Sequence, residues 1–308
     1  LRLLKTILFT SIIAAFCASC SDTKIISTEG FLEINGSEIY YKTTGEGDPL
    51  IIVHGGPVLD HSYLLPHLAA LAEDYQLIFY DQRATGRSSI EVAPATMSLD
   101  GFVEDIEVLR QQLDLGKINL LGHSWGGLIA MKYALKHDDN LNHLILSNAM
   151  APSTIDWQEE SKAVAQKITK EDQNKRNNLT SSGLLRTEDP SAAIEEMMML
   201  SYRAHMFDKA NMDKLKLFIP KDFMLRSQLY SSLNPDLESY DLYAELINVK
   251  TPTLIIFGEI EPAVSLHAKR MAASFPDAEL YVVSASGHFP FIEANKDYIQ
   301  HIKSFIGQ

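Results

Sequence analysis

Gly122-His-Ser-Trp-Gly126 has the G-x-S-x-G spacing that can present a serine nucleophile. Any glycine-rich turn can match so short a pattern, so its setting matters more than its letters. An apolar run, Ile118–Leu121, precedes it, and a helical pattern from Gly127 to Lys136 follows. A strand, a sharp turn and a helix would lift the Ser124 hydroxyl out of a sheet. They would also leave it beside a helix N-terminus, where negative charge is stabilised. Glycine at 122 and 126 leaves room for the turn. A serine hydroxyl is a weak nucleophile until a base takes its proton. His288 lies just past the apolar run Glu279–Val283, in Ser284-Ala-Ser-Gly-His-Phe-Pro290, and is the candidate base. His123 is expected to point away along the turn and reads as structural.

The base in turn needs a carboxylate that orients its imidazole and stabilises the imidazolium. The run Thr253–Phe257 leads into Gly258-Glu-Ile-Glu-Pro262. Glu261 stands where that carboxylate is needed, with Glu259 as the competing position. The other strand end where an acid could stand carries Ser147-Asn148, which offers none. Acyl transfer also requires N–H donors for the developing oxyanion. His54-Gly-Gly-Pro57 closes the run Leu50–Val53, so the N–H groups of Gly56 and Trp125 are expected to converge on that oxygen. His54 reads as a residue that fixes the loop. Both cysteines, Cys17 and Cys20, fall near the N-terminus, and the ten histidines include no H-E-x-x-H pair. Neither thiol chemistry nor a catalytic metal or other cofactor is expected.

The elements that must position these groups follow from the rhythm of the chain. Asn35-Gly36 sits between Phe31–Ile34 and Ser37–Lys42 and reads as a hairpin turn. Short apolar runs at Leu50–Val53, Gln76–Tyr80, Ile118–Leu121, Leu144–Leu146, Thr253–Phe257 and Glu279–Val283 alternate with helical patterns. Phe102, Ile106, Leu109 and Leu113 share one helical face, as do Leu128, Met131 and Leu135. The class is therefore α/β: a mostly parallel sheet with helices on both faces. Residues 152–237 break the rhythm with a helical, charged, methionine-rich stretch. It reads as a cap inserted between core segments 30–151 and 238–308. Met197-Met-Met199 is expected to pack the cap, with a role in the pocket as the alternative. The net charge of −13 argues against nucleic acid as a partner.

The N-terminus has its own pattern. Arg2 and Lys5 precede an apolar run, Ile7–Phe16, and then Cys17-Ala-Ser-Cys20. The run is short for a span of about 20 residues. Residues 1–19 read as an export signal, with 20–29 a polar tether. Cleavage before a cysteine resembles a bacterial lipoprotein signal. That resemblance implies lipidation of Cys20, a membrane anchor, and a periplasmic or cell-surface location. Cys17 stands where such signals usually have leucine. An ordinary secretory signal cut near Ser19 is the alternative.

His54-Gly-Gly-Pro57, Asp81-Gln-Arg-Ala-Thr-Gly-Arg-Ser88, Gly122-His-Ser-Trp-Gly-Gly127 and Ser286-Gly-His-Phe289 together resemble the proline iminopeptidase family of α/β-hydrolases. The resemblance spans about residues 30–307 and is weakest in the cap. It implies release of N-terminal proline or small apolar residues from short peptides or amides through an acyl-enzyme. Four positions depart from the pattern. Ala84 and Val58 replace glycines, Glu261 replaces an aspartate, and Pro262 stands where some members carry a second acid that binds the substrate ammonium. That ammonium would still need a carboxylate partner. The cap offers Glu159, Glu160, Glu195, Glu196 and Asp236, and Asp236, nearest the return to the sheet, is the expected one. An esterase, lactonase or amidase for uncharged substrates is the alternative. The intact serine and histidine weigh against a non-catalytic binding protein. A serine in the nucleophile position weighs against an epoxide hydrolase or dehalogenase, which use aspartate there.

Overall fold

The computed structural model describes residues 26–307. Eight strands form one sheet in the order β1-β2-β4-β3-β5-β6-β7-β8. They are β1 Ser27–Ile34, β2 Ser37–Thr44, β3 Asp48–Val53, β4 Tyr75–Tyr80, β5 Ile118–His123, β6 Leu141–Ser147, β7 Thr253–Gly258 and β8 Ala278–Val283. β1 pairs antiparallel with β2, and β2 with β4, while every later pairing is parallel. Asn35 (φ 51°) and Gly36 (φ 76°) both adopt the left-handed backbone of the expected hairpin turn.

The middles of the central strands are apolar on consecutive positions because both their faces are covered. Ile51, Val53, Leu120, Ile255 and Phe257 face one buried layer. Leu50, Ile52, Leu121, Leu254 and Ile256 face the other. Helix Leu99–Gln112 buries Phe102, Ile106 and Leu109, and Ser98 caps it by accepting the Gly101 N–H. Helix Trp125–His137 buries Leu128 and Met131.

Between β6 and β7 lie the helices Thr154–Ala165, Lys170–Ser181, Ser191–Tyr202, Phe223–Tyr230 and Asn234–Leu237. The two ends of this insertion are clamped together. Ser153 and Asp241 form an antiparallel bridge, Thr154 N–H donates to Tyr240 O at 2.9 Å, and Leu242 N–H to Pro152 O at 2.8 Å. Met198 and Met199 pack on the core, and Met197 packs against Leu179, Ala193 and Leu200 within the cap.

One boundary needs correction. β1 begins at Ser27, inside the stretch expected to be a tether. The Thr28 and Thr43 hydroxyls meet at 2.6 Å across the pair, and Ser27 Oγ donates to Thr43 O at 3.0 Å. β1 is an edge strand, so its first residues can be polar and still pair. Cys20 and the expected signal segment lie outside the described residues. Among the described residues, no helix is long and apolar enough to cross a membrane.

Candidate active site

Strand register gathers the candidate residues at the C-terminal ends of the parallel strands. Val53 of β3 is level with Gly122 of β5, which sets the loop after β3 beside the turn after β5. Gly258 of β7 is level with Val283 of β8, which does the same for the loops bearing Glu261 and His288.

Ser124 has φ 55° and ψ −121°, a backbone conformation that costs of order 1–3 kcal/mol. Surrounding bonds hold it there. Its N–H donates to Ser147 O at 3.1 Å, and its carbonyl accepts from Gly127 and Met150 at 2.9 Å each. A side chain on Gly122 would put its Cβ 2.4 Å from Gly126 O, so the turn closes only with glycine. Trp125 opens the following helix, where backbone N–H groups lack helical acceptors. Its indole Nε1 donates to Gln82 Oε1 at 2.9 Å.

Gln82 also fixes the Gly55-Gly56 loop. Its backbone N–H donates to His54 Nε2 at 3.1 Å and its amide to His54 O at 2.7 Å. An accepting Nε2 leaves the proton on Nδ1, which donates to Gly55 O at 2.8 Å. Burial lowers the His54 pKa to about 4, so the ring is neutral at physiological pH. The neighbouring Asp81 and Arg83 are structural. Buried Asp81 accepts from His61 Nδ1 at 2.6 Å and from Arg87 N–H at 2.8 Å. Arg83 Nε donates to buried Asp105 at 2.6 Å.

Glu261 Oε2 lies 3.1 Å from His288 Nδ1. That contact leaves Nε2 as the nitrogen free to serve Ser124, which lines the same cavity. Glu261 is 4% exposed. Burial alone would raise its pKa, but the charge and hydrogen bonds of His288 and His205 hold it well below the ordinary carboxylate value. Glu259 points elsewhere and accepts the Ala285 N–H at 2.8 Å.

Three residues that sequence reasoning did not place in these roles complete the site. Tyr63 accepts the Gly55 N–H at 2.8 Å and donates to His123 Nδ1 at 2.7 Å. His123 Nε2 then donates to His288 O at 3.0 Å. This chain runs from the loop after β3 to the loop bearing His288, and His123 is its neutral link, with a pKa lowered to about 3 first by burial and then by His288. His205, from the cap, lies 3.4 Å from Glu261 Oε1 through its Nδ1. Glu160, from cap helix Thr154–Ala165, accepts from His267 Nε2 at 3.2 Å. None of the three stands in a motif, so no local signal marked them.

A cavity of about 580 Å³ joins these parts. Gly56, Ser124, Trp125 and His288 line its catalytic end, and Trp157, Val164, Ile168 and Leu233 bring apolar cap surface to it. Among the described residues, Glu160 is the one acidic side chain lining it, and no lysine or arginine does. Met197–Met199 do not line it. Asp236 is corrected: its carboxylate accepts the Leu99 N–H at 2.7 Å, and its neighbours Asn234 and Leu237 line the cavity instead. A helix start offers unpaired N–H donors, and Asp236 is spent on one of them. Two groups among the described residues have metal-type donor atoms within 4.8 Å of one another: His205, Glu261 and His288, and Asp60, His61 and Asp81. In both, imidazole and carboxylate already hydrogen-bond to each other.

The sequence profile of the α/β-hydrolase fold matches residues 48–295, and the chain belongs to that family. With the Ser124, His288 and Glu261 geometry, it is a serine hydrolase. It is 27% identical over 290 residues to the proline iminopeptidase of Heyndrickxia coagulans, covering 91% of this chain and 98% of that one. It is 28% identical over 291 residues, with the same coverage, to the proline iminopeptidase of Clostridioides difficile strain 630. Among solved structures, an esterase from Exiguobacterium antarcticum superposes with a TM-score of 0.62 at 24% identity, covering 91% of this chain and all of that one.

Proposed function

We propose that this serine hydrolase is an aminopeptidase that releases an N-terminal proline or small apolar residue from short peptides and amides. The observation that carries the reading is that Glu160 is, among the described residues, the lone carboxylate of the catalytic cavity, in an otherwise largely apolar lining without lysine or arginine. Such a cavity favours a small apolar group carrying one positive charge. Helix Thr154–Ala165 packs over Pro262–Leu266. That segment opens with Pro262, where the family pattern has its second acid, and Glu160 meets His267 just past the segment's other end. The names of the relatives support the same substrate class.

The geometry supports the following chemistry. Ser124 Oγ attacks the scissile carbonyl carbon as His288 Nε2 takes its proton. The N–H groups of Gly56 and Trp125 hold the oxyanion, and Glu261 stabilises the imidazolium. His288 then protonates the departing amine, the C–N bond breaks, and an acyl-Ser124 ester remains. Water, deprotonated by His288, hydrolyses that ester and restores the hydroxyl.

The test compares prolyl-nitroanilide with acetyl-prolyl-nitroanilide. A charge-assisted hydrogen bond of about 1.5–3 kcal/mol corresponds to a preference of roughly 10–100-fold for the free amine. Glu160→Gln should remove most of that preference by slowing only the free-amine substrate. Equal cleavage of the two by the unaltered enzyme would replace this reading with an esterase or amidase for uncharged substrates, which should prefer a simple nitrophenyl ester.

We further propose that the enzyme lies outside the cytoplasm, tethered by lipid on Cys20. The support is the Arg2, Lys5, Ile7–Phe16 and Cys20 pattern alone. The full-length protein should fractionate with membranes, since lipoproteins carry more than one acyl chain. Cys20→Ala should release it or block its processing. Recovery of the unaltered mature protein wholly in the soluble fraction would exclude the anchor.

A further inference from the structure

We propose that His205, supplied by the cap, is a positioning residue for the triad: it holds Glu261 in the orientation that meets His288, so the triad is completed across the boundary between core and cap. The proposal rests on the reading of Ser124, His288 and Glu261 as a triad, and is independent of whether the substrate carries a free amine.

Glu261 has two oxygens and, among the described residues, two side-chain hydrogen-bond partners. Oε2 meets His288 Nδ1 at 3.1 Å and Oε1 meets His205 Nδ1 at 3.4 Å. An ionised carboxylate only accepts, so both imidazoles carry their proton on Nδ1. A carboxylate tied at one oxygen can rotate about its terminal bond. One tied at both cannot rotate without losing a contact. Glu261 has one methylene more than the aspartate of the family pattern, and so one more torsion to be fixed. The second imidazole supplies that restraint.

His205 is itself firmly placed. Its carbonyl accepts the His288 N–H at 2.9 Å. A Cβ on Gly287 would sit 1.9 Å from that same carbonyl, so this close approach requires glycine at 287. Glu293 ties the next residues down by accepting from Phe207 N–H at 3.2 Å, Asp208 N–H at 2.9 Å and Gly287 N–H at 2.7 Å. The His205 and His288 rings lie 4.9 Å apart. These backbone ties do not depend on the His205 ring, so truncating it leaves the cap joined to the histidine loop.

The experiment measures kcat and KM for His205→Ala on a simple nitrophenyl ester and on prolyl-nitroanilide, with the rate of Ser124 labelling by a fluorophosphonate. Misplacement of a catalytic group by about 1 Å costs up to about 100-fold. The expected result is a kcat loss of about 10–100-fold on both substrates, KM within about twofold, and labelling slowed in proportion. His205→Asn, whose amide N–H replaces Nδ1–H, should recover most of the loss. His205→Phe, which keeps the ring volume without a donor, should not. A raised KM with kcat unchanged would overturn the proposal and make His205 a substrate contact. Equal activity of the Asn and Phe variants would overturn it as well. Absence of a free-amine preference in the unaltered enzyme would defeat the aminopeptidase reading and not this proposal, because the ester and labelling rates do not involve the ammonium; a His205→Ala effect confined to the free-amine substrate would overturn the proposal.

Discussion

Ser124→Ala will lower turnover by at least about 10³-fold, the scale on which removal of a triad nucleophile acts. The variant should melt close to the unaltered protein. Alanine has the same Cβ as serine and meets the same strained backbone at φ 55°. The bonds that impose this conformation all run through backbone atoms: Ser147 O, and the N–H groups of Gly127 and Met150. Only the hydroxyl is lost. Far-UV circular dichroism with a thermal melt checks the fold, and hydrolysis of the best substrate checks the chemistry. Near-normal hydrolysis in a folded Ser124→Ala protein would remove the covalent mechanism altogether.

The second large effect is expected at Glu261→Gln, where the shape is kept and the charge lost. Turnover should fall by about 10³–10⁴-fold, since a neutral amide can reverse the imidazole tautomer. Glu259→Gln should stay within about threefold of the unaltered rate, because glutamine still offers an oxygen to the Ala285 N–H. A pH profile gives an independent check. Burial alone would lower the His288 pKa, but the charge of Glu261 and its hydrogen bond raise it above the ordinary 6.5, with Glu160 adding to the rise. His288 must be neutral to act as base. Activity is therefore present above that pKa and lost as pH falls through it, so the acid limb of kcat/KM should lie above 6.5. In Glu261→Gln the burial remains and the charge does not, so the limb should move to lower pH. A limb that stays in place would show that another acid serves His288.

The parts of the site readable from sequence are those written locally. Ser124 and His288 each follow an apolar run directly, so the element that positions them is contiguous with them. Glu261 was readable by the same logic, three residues past β7. Glu160, His205 and Tyr63 were not, because helix packing and loop crossing bring them in from distant segments. Glu160 was one cap acid among several, and nothing in its neighbours says that its helix lies over Pro262. Asp236 was misread for the converse reason. Its backbone is near the cavity, but side-chain direction is set by the helix start at Leu99, which is remote in sequence. The fold was legible where strands are buried on both faces and therefore carry unbroken apolar runs. It was least legible at the sheet edge, where β1 needs only hydrogen bonds along one side.

The clamped ends of the cap bear on how this enzyme could acquire new substrates. With Ser153 and Asp241 already bridged, the insertion leaves and re-enters the sheet at nearly one point. The core sees the whole stretch as a single short connection. Its length and sequence can therefore drift, or be exchanged by recombination, with little loop-closure penalty to the sheet beneath. Such exchange would transplant the pocket wall that selects the acyl group, and Glu160 with it. It would also remove His205, so an incoming cap must bring its own restraint for the glutamate. The same exchange onto a core with the shorter aspartate carries no such debt.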